Sequence, residues 1–309
     1  MFQYVKSNMT KLTRTLCGWN IEMRNILQFP TKRFPMGASD PAASLSPATV
    51  PYSYEHEGDR QFATTLARGL EVLRCFTPPE PMLGNKEISV RTGLPKPTVS
   101  RLTYTLTKLG YLRHNMRLGK YQLGSAVLSI GYPLLASMSI RQIARPFMKE
   151  LADYANGSVN MGIRDRLNMV YVEACRSGNL TTLPDIGTSI PIAQSVMGRA
   201  FLYACTPPER EAVLNQMKVK EPETLRKYRT QIDKGLQDIR GKGYCVSNGE
   251  LRREVHAVGV PMRRNVDGEI VTFNCGIPAF MVKKGQLEDD IGPRLVAMVR
   301  NIEAAIGIH

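Results

Sequence analysis

Basic, hydroxyl-bearing and aromatic side chains cluster between Lys96 and Lys108, where no acid occurs. Residues three or four apart share one side of a helix. The exposed side of this helix would carry Pro97, Ser100, Arg101, Tyr104 and Lys108, and Lys96 and Thr98 would lie near its N-terminus. Arginine can donate two hydrogen bonds to guanine, and hydroxyls can reach base edges or phosphates. The free N–H groups at a helix N-terminus also favour an anion. The pattern predicts a helix in the major groove of DNA, reading it with Lys96, Thr98, Ser100, Arg101, Tyr104 and Lys108.

An apolar stripe on the opposite side would hold this helix against a core. Val99, Leu102, Leu106 and Leu109 follow one another at i, i+3, i+7 and i+10, the spacing of one buried helical face. Pro97 falls in the first turn, where a missing N–H costs no hydrogen bond. Gly110 is expected to end the helix.

Two shorter helical patterns precede this helix. The segment TLARGLEVLRCF carries Leu66, Leu70 and Leu73 at helical spacing, and a TPPEP breaker follows it. The segment NKEISVRTG predicts a short helix with Ile88 and Val90 facing inward. Gly93 would stop that helix, and Leu94 and Pro95 would form the turn.

A basic hairpin is predicted directly after the third helix. YLRH, NMRLG and KYQLG read as strand, turn and strand, and they carry Arg113, His114, Arg117 and Lys120. A single basic helix or a single hairpin is most often an ordinary surface element. Three helices followed by a basic hairpin, in this order and spacing, predict a winged helix-turn-helix over residues 61–124 that binds double-stranded DNA.

Charge supports this interpretation. The chain has 309 residues and a formal net charge of +14, and the segment from Gln61 to Leu123 carries ten Lys/Arg against three acids, a net of +7. A basic run alone would more often be a solvated face. Six cysteines without a CxxC pair indicate reduced thiols in a cytoplasm, and four scattered histidines indicate no metal site. Neither a membrane span nor a secretory signal is expected.

The remaining ranges divide into an arm, a connector and a large C-terminal domain. Residues 1–60 are expected to form a disordered arm, because GASDPAASLSPATVPYS has too little apolar surface to fold. Its basic start could touch DNA, but Met36 as the natural start is the more economical reading. A linker helix is predicted over residues 125–145, and Pro133 or Pro146 would kink or restart the helical pattern. This connector would contribute to a dimer through Leu128, Ile130, Leu134 and Leu135.

Residues 146–309 have an α/β pattern. Two strands, VNMGIRD and LNMVYVEA, flank a turn at Asp165–Arg166, and three helical segments follow from SVMGRAFLYA onwards. Three further strands are expected in YCVSNG, HAVGVPMRR and EIVTFNCGI, the last two joined by a hairpin turn at Val266–Asp267–Gly268. A final helix closes the chain. The fold class is therefore α+β overall.

These segments, in this order, resemble the IclR family of bacterial transcription regulators. The matching pieces include LARGLEVLRCF, ISVRTGLPKPTVSRLTYTLTKLGYL, GKYQLG, IPIAQSVMGRAFLYA, RGKGYCVS, HAVGVPM and DGEIVTFNCGIP. The resemblance implies a winged helix-turn-helix, a linker helix and a GAF-like effector-binding domain. It also implies a homodimer or homotetramer on a pseudo-palindromic operator. A small organic acid or aromatic effector, controlling a catabolic gene cluster, would be typical.

The resemblance also implies an effector pocket. Carried over position by position, its residues are Ser195, Val196, Met197, Ser247, Ala257, Asn274 and Gly276. A helix that starts near Ser195 could present N–H groups to a carboxylate, with hydrogen bonds added by Asn274 and Ser247. The chain departs from the family at Pro97, where Ser or Thr is frequent, and within the effector segments themselves.

Two other functions remain open. The chain could bind DNA without any ligand, although dimerisation alone would need less than the C-terminal segment. Cys245 or Cys275 could pair with His256 as an enzymatic thiol and imidazole. No third orienting residue is marked, so neither a catalytic residue nor a cofactor is expected.

Overall fold

The computed structural model describes residues 59–178 and 185–308. Apart from Asp59 and Arg60, the predicted N-terminal arm lies outside these ranges, and so does Met36.

The N-terminal part of the described chain is a winged helix-turn-helix, as predicted. It contains α1 (Thr64–Arg74), α2 (Asn85–Thr92), α3 (Lys96–Lys108), β1 (Leu112–Asn115) and β2 (Lys120–Leu123). Antiparallel β1 and β2 form the hairpin, hereafter the wing, with Arg113 opposite Gln122. Leu83 exchanges two backbone hydrogen bonds with Tyr121, which fixes the wing beside the helices.

Local hydrogen bonds fix the turn between α2 and α3. Gly93 has φ of 68°, the left-handed conformation in which glycine pays no Cβ penalty. Ser89 Oγ donates to Leu94 O at 2.6 Å, and buried Thr103 Oγ1 donates to Asn85 Oδ1 on the preceding helix at 3.2 Å. Side chains on both helices therefore fix the orientation of α3 relative to α2.

The buried faces of the three helices differ in detail from the predicted stripes. Leu66 and Leu70 are exposed, whereas Val72 enters the core. Helix α1 therefore turns a different side inward, and Gly69 on that side lets it approach Leu102. Apolar spacing alone did not reveal this rotation.

Two further positions predicted to face inward are exposed. Val90 is 78% exposed although Ile88 is buried, because residues two apart lie on different sides of a helix. Leu109 is exposed because α3 ends there. The Tyr111 N–H bonds to Leu106 O, and this bond turns the chain toward the wing.

The connector consists of two helices, α4 (Ser125–Ser137) and α5 (Ser139–Ala155). Helix α4 continues through Pro133 and α5 through Pro146, so neither proline restarts a helix, which was one of the two effects expected of them. The break falls at Met138, whose φ of −81° and ψ of 86° are not helical. Ile140 and Ala144, near the start of α5, already pack in the C-terminal core.

The C-terminal part is built on an antiparallel sheet with the order β5-β4-β3-β8-β7-β6. Its strands are β3 (Ser158–Asp165), β4 (Asn168–Arg176), β5 (Ser189–Pro191), β6 (Cys245–Asn248), β7 (Val255–Pro261) and β8 (Thr272–Pro278). The predicted turns at Arg166 and Asp267–Gly268 are confirmed, with positive φ at all three residues. Strand β5 was not predicted, because a strand of three residues is too short to show alternation of polar and apolar side chains.

Helices cover both faces of this sheet. The others are α6 (Val196–Ala204), α7 (Pro207–Lys220), α8 (Pro222–Lys242) and α9 (Gly292–Ala305), the last preceded by a π-helical turn. Helices α5 and α9 pack on the face that carries Val159, Phe273 and Cys275. Helix α6 lies on the opposite face, and α7 and α8 pack beyond it. Strand alternation therefore gives the α6 face a separate set of residues, hereafter the inner face.

Candidate DNA interface and ligand site

The predicted DNA-contacting side of α3 is exposed. Lys96, Ser100, Arg101 and Lys108 are all exposed, and Thr98 is half-buried. Tyr104 is 64% exposed despite its size. Val99 and Leu106 on the opposite side are buried, and Leu102 packs partly against the same core. The helix is therefore anchored from behind while its acid-free face points to solvent.

The charged groups on this face have few intramolecular partners. Among the described residues, the side chains of Lys96 and Arg101 form no hydrogen bond or ion pair. The Lys108 ammonium lies 5.5 Å from the centre of the Tyr104 ring, a cation–π distance. Helix α3 also has no side-chain cap at its N-terminus. The donors of Lys96 and Arg101 are therefore available to phosphates and base edges without breaking a hydrogen bond or an ion pair.

The wing contributes unequally to the same basic surface. Arg113 and Arg117 are exposed, and His114 stacks on Tyr121 with ring centres 4.5 Å apart. Lys120 Nζ instead lies 3.0 Å from Glu87 Oε1. The Gly84 N–H, and after it Lys120, lower the pKa of Glu87. Lys120 thus has a competing partner, whereas Arg113 and Arg117 have no ion-pair partner among the residues that the structure describes.

A second set of predicted residues converges at the N-terminus of α6. Ser195 is the N-cap, and its Oγ accepts a hydrogen bond from the Gly198 N–H at 3.0 Å. This bond satisfies one of the first N–H groups of the helix. Val196 and Met197 follow it and are buried. The predicted helix start near Ser195 is confirmed.

Two glycines allow this helix terminus to rest directly on the inner face. A Cβ at Gly259 of β7 would lie 2.5 Å from Val196 O, and a Cβ at Gly162 of β3 would lie 2.4 Å from Met197 Sδ. Real Cβ atoms do not approach this closely, so a larger residue at Gly259 would displace the α6 backbone, and one at Gly162 would displace the Met197 side chain. Val196 and Met197 therefore lie directly over the sheet.

Side-chain amides cross the inner face between these contacts. Asn160 of β3 pairs in register with Asn274 of β8, and its Nδ2 donates to Asn274 Oδ1 at 3.1 Å. Asn274 Nδ2 in turn lies 3.3 Å from the Tyr171 hydroxyl. Burial raises the pKa of Tyr171 to about 12, so the phenol is neutral. Asn160 Oδ1 is buried and has no hydrogen-bond partner in the described parts of the chain.

The remaining predicted pocket residues form a neighbouring row. Ser247, Ala257 and Gly276 lie opposite one another on β6, β7 and β8. Neighbouring strands are about 4.8 Å apart, so this row spans roughly two strand spacings. The seven predicted residues thus meet around one region of the inner face.

Sequence reasoning missed four residues of this region, namely Asn160, Tyr171, Arg199 and Glu250. Strand alternation in VNMG places the Asn160 side chain on the opposite face of the sheet from Val159 and Met161. The pairing of β3 with β8 could not be predicted from the sequence. Arg199 is buried and Glu250 is half-buried. A basic residue inside an apolar helix was the available signal for Arg199.

The thiol–imidazole alternative is wrong. Cys245 lies opposite Gly259 and Cys275 opposite Val258, whereas His256 lies opposite Asn248 and Ile277. Burial raises the pKa of Cys245 and that of Cys275 to about 12, so both thiols are protonated and unreactive.

Two kinds of site are not found in the described ranges. Residues 59–178 and 185–308 contain no cluster of three or more His, Cys, Asp or Glu side chains that could hold a metal ion. No helix in the described part of the chain is long and apolar enough to cross a membrane.

Comparison with known proteins agrees with both parts of the structure. Residues 65–115 match the IclR helix-turn-helix domain, and residues 133–305 match the bacterial transcriptional regulator IclR C-terminal domain. The HTH-type transcriptional regulator TsaQ1/TsaQ2 of Comamonas testosteroni is 37% identical over 243 residues, which cover 78% of this chain and 87% of that protein.

Solved structures give the same result. An IclR family transcriptional regulator from Brucella abortus is 49% identical, with a TM-score of 0.73 over 80% of this chain and 94% of that one. An IclR homologue from Microbacterium hydrocarbonoxydans, complexed with 4-hydroxybenzoate, shares the fold at 21% identity and a TM-score of 0.58, over 78% and 99% of the two chains. The matched domains, their order and these relatives establish that the chain belongs to the IclR family of DNA-binding transcriptional regulators.

Proposed function

We propose that this protein is a sequence-specific regulator whose operator binding is controlled by a small organic acid, aromatic or short-chain. The observation that carries the DNA-binding part is the exposed, acid-free face of α3 backed by buried Val99 and Leu106. A recognition helix needs this combination, because its exposed side chains must contact base edges while its apolar side stays packed in the protein core.

Contacts on this surface divide into two roles. Arg101 lies in the middle of the exposed face and has no hydrogen-bond or ion-pair partner within residues 59–178 and 185–308, which suits a bidentate contact to guanine. Ser100, Thr98 and Tyr104 lie close enough along the helix to reach base edges or phosphates. Phosphate contacts are assigned to Lys96 and Lys108 on α3 and to Arg113, Arg117 and Lys120 on the wing.

The ligand would occupy the inner face beside the α6 N-terminus. Ser195, Val196 and Met197 approach it from the helix, while Ser247, Ala257, Asn274 and Gly276 approach it from the sheet. The unpartnered Asn160 Oδ1 calls for a hydrogen-bond donor. Because a relative with this fold is complexed with 4-hydroxybenzoate, a hydroxylated aromatic acid is the first ligand to test.

A homodimer or homotetramer on a pseudo-palindromic operator fits the connector. Leu128, Ile130 and Leu134 on α4 are exposed, and a second copy of the helix could cover them. Leu135 packs partly against the C-terminal core instead, so it is less available for that contact. Half-sites are expected about one helical turn, ~10 bp, or a multiple of that apart.

The domain roles follow from this assignment. Residues 61–124 would bind DNA, residues 125–145 would link, and residues 146–309 would bind the effector. A DNA partner implies a cytoplasmic location, and control of a catabolic gene cluster is the expected use. A DNA-binding regulator without a ligand is the remaining alternative, favoured by how closely Val196 and Met197 approach the sheet.

A footprint on the DNA upstream of its own gene, with and without candidate acids, tests this proposal. Protection of a defined symmetric site that one acid weakens or strengthens would support it. A defined site that no acid changes would favour the ligand-free alternative. Protection without sequence preference, lost evenly as salt rises, would contradict specific recognition.

A further inference from the structure

Arg199 is a buried cation at the edge of the inner face. It lies one turn after the α6 N-cap and is 2% exposed. Helix α8 accommodates it at Gly235, where a Cβ would lie 2.7 Å from Arg199 Cδ. Charged side chains rarely sit this deep unless a partner or ligand compensates them.

The partners of this guanidinium satisfy it poorly. One amino group, Nη1, donates to Val246 O at 3.3 Å. The other, Nη2, lies 3.3 Å from Glu250 Oε2, but the two atoms do not form an aligned hydrogen bond. Arg199 Nε, Arg199 Nη2 and Glu250 Oε2 are all buried without a hydrogen-bond partner among the described residues. Well-formed pairs of arginine with carboxylate are usually bidentate and aligned.

The opposing carboxylate comes from a connecting segment and not from the sheet. Residues 249–254 join β6 to β7, and Gly249 enters the segment with φ of 94°. Glu250 is held there by its N–H to Ser247 Oγ at 3.3 Å, and its O accepts from the Tyr228 hydroxyl at 3.4 Å. Its side chain is 26% exposed, so part of it already reaches solvent.

Charge on the inner face makes Arg199 the natural partner of an acid. The seven predicted pocket residues are uncharged, and so are Asn160 and Tyr171. A carboxylate buried among them would carry a large desolvation cost unless a cation lay nearby. The Arg199 guanidinium reaches this face at β6, where it contacts the carbonyl of Val246, the residue before Ser247.

We propose that Arg199 receives the carboxylate of the effector and that Glu250 occupies this place when no ligand is bound. Glu250 then acts as an internal competitor. Ligand binding releases it and shifts the segment 249–254 that holds it. The inference rests on the proposed effector function and adds to it the group that selects acids and the segment that moves.

The test compares Glu250→Gln with Glu254→Gln in the full chain. Glu254 is exposed in the same segment, and its side chain forms no hydrogen bond or ion pair with another described residue. The probes are benzoate, 4-hydroxybenzoate, acetate and pyruvate, each beside its primary amide, measured by calorimetry. Removing the competitor should lower the Kd of the bound acid about tenfold, which corresponds to about 1.4 kcal/mol. Glu254→Gln should leave the Kd unchanged.

Further outcomes separate this inference from the proposed function. Arg199→Lys, which keeps the charge, should bind the acid more weakly than wild type but more tightly than Arg199→Gln. An acid that binds wild type no better than its amide, or no more tightly to Glu250→Gln, would overturn the role of Arg199. If no probe binds wild type or Glu250→Gln, the acid-effector function itself fails.

Discussion

Replacement of Arg101 by alanine should weaken operator binding far more than nonspecific binding while leaving the protein folded. The Arg101 side chain is exposed and has no partner among the described residues, so stability should change by no more than about 0.5 kcal/mol. A bidentate contact with guanine is worth about 1–3 kcal/mol. In a dimer two such contacts are lost, or about 2–6 kcal/mol. The operator Kd should therefore rise at least about thirtyfold.

Fluorescence anisotropy with operator and scrambled duplexes, over a salt series, measures this change. Binding to the scrambled duplex should weaken by only a few fold, because one of several phosphate-attracting charges is lost. Arg240→Ala is the matched control, since it removes the same charge from an exposed position on α8. That control should leave both affinities nearly unchanged.

Equal losses on operator and scrambled DNA would refute the reasoning. Arg101 would then contact a phosphate, and the slope of log Kd against log salt concentration would decrease by about one for each subunit. Base reading would have to come from other residues of α3.

Three further predictions concern stability and are measured by denaturant unfolding. Glu173→Ala should cost about 3 kcal/mol, because Glu173 is 2% exposed and bonds Arg141 and Arg145; an unchanged midpoint would contradict this. Gly259→Ala should cost about 1–3 kcal/mol by displacing α6, whereas Gly131→Ala, with open space around its Cβ, should not destabilise. Burial raises the pKa of Cys275 from 9.0 to about 12. The thiol therefore ionises at a lower pH in the unfolded state than in the folded state, and the free energy of unfolding should fall as pH rises above about 9. An increase in the free energy of unfolding over that range would contradict this prediction.

Much of the DNA-binding part could be predicted from the chain because its signals are local. Pro97, Gly93 and Gly110 mark helix boundaries by their own backbone preferences. The exposed basic face of α3 follows from helical spacing. Leu66 and Val90 were placed on the wrong side because spacing defines a face but does not decide which face packs. That choice depends on neighbouring helices, here through Gly69 and Leu102.

The ligand region was predicted less completely because it is assembled from distant strands. Resemblance supplied Ser195, Ser247 and Asn274, and the structure brings them to one face. Asn160 and Arg199 were not identified, since the role of Asn160 depends on strand register and that of Arg199 on contacts with α8. No local pattern encodes the pairing of β3 with β8, which joins residues more than a hundred positions apart.

Dimethyl sulfate protection on operator DNA tests most directly that α3 reads the major groove. This reagent methylates guanine N7 in the major groove and adenine N3 in the minor groove. Our account predicts protected guanine N7 atoms in two symmetric clusters, with one guanine in each half-site losing its protection in Arg101→Ala. Protection confined to adenine N3, or a guanine pattern that Arg101→Ala leaves intact, would contradict it.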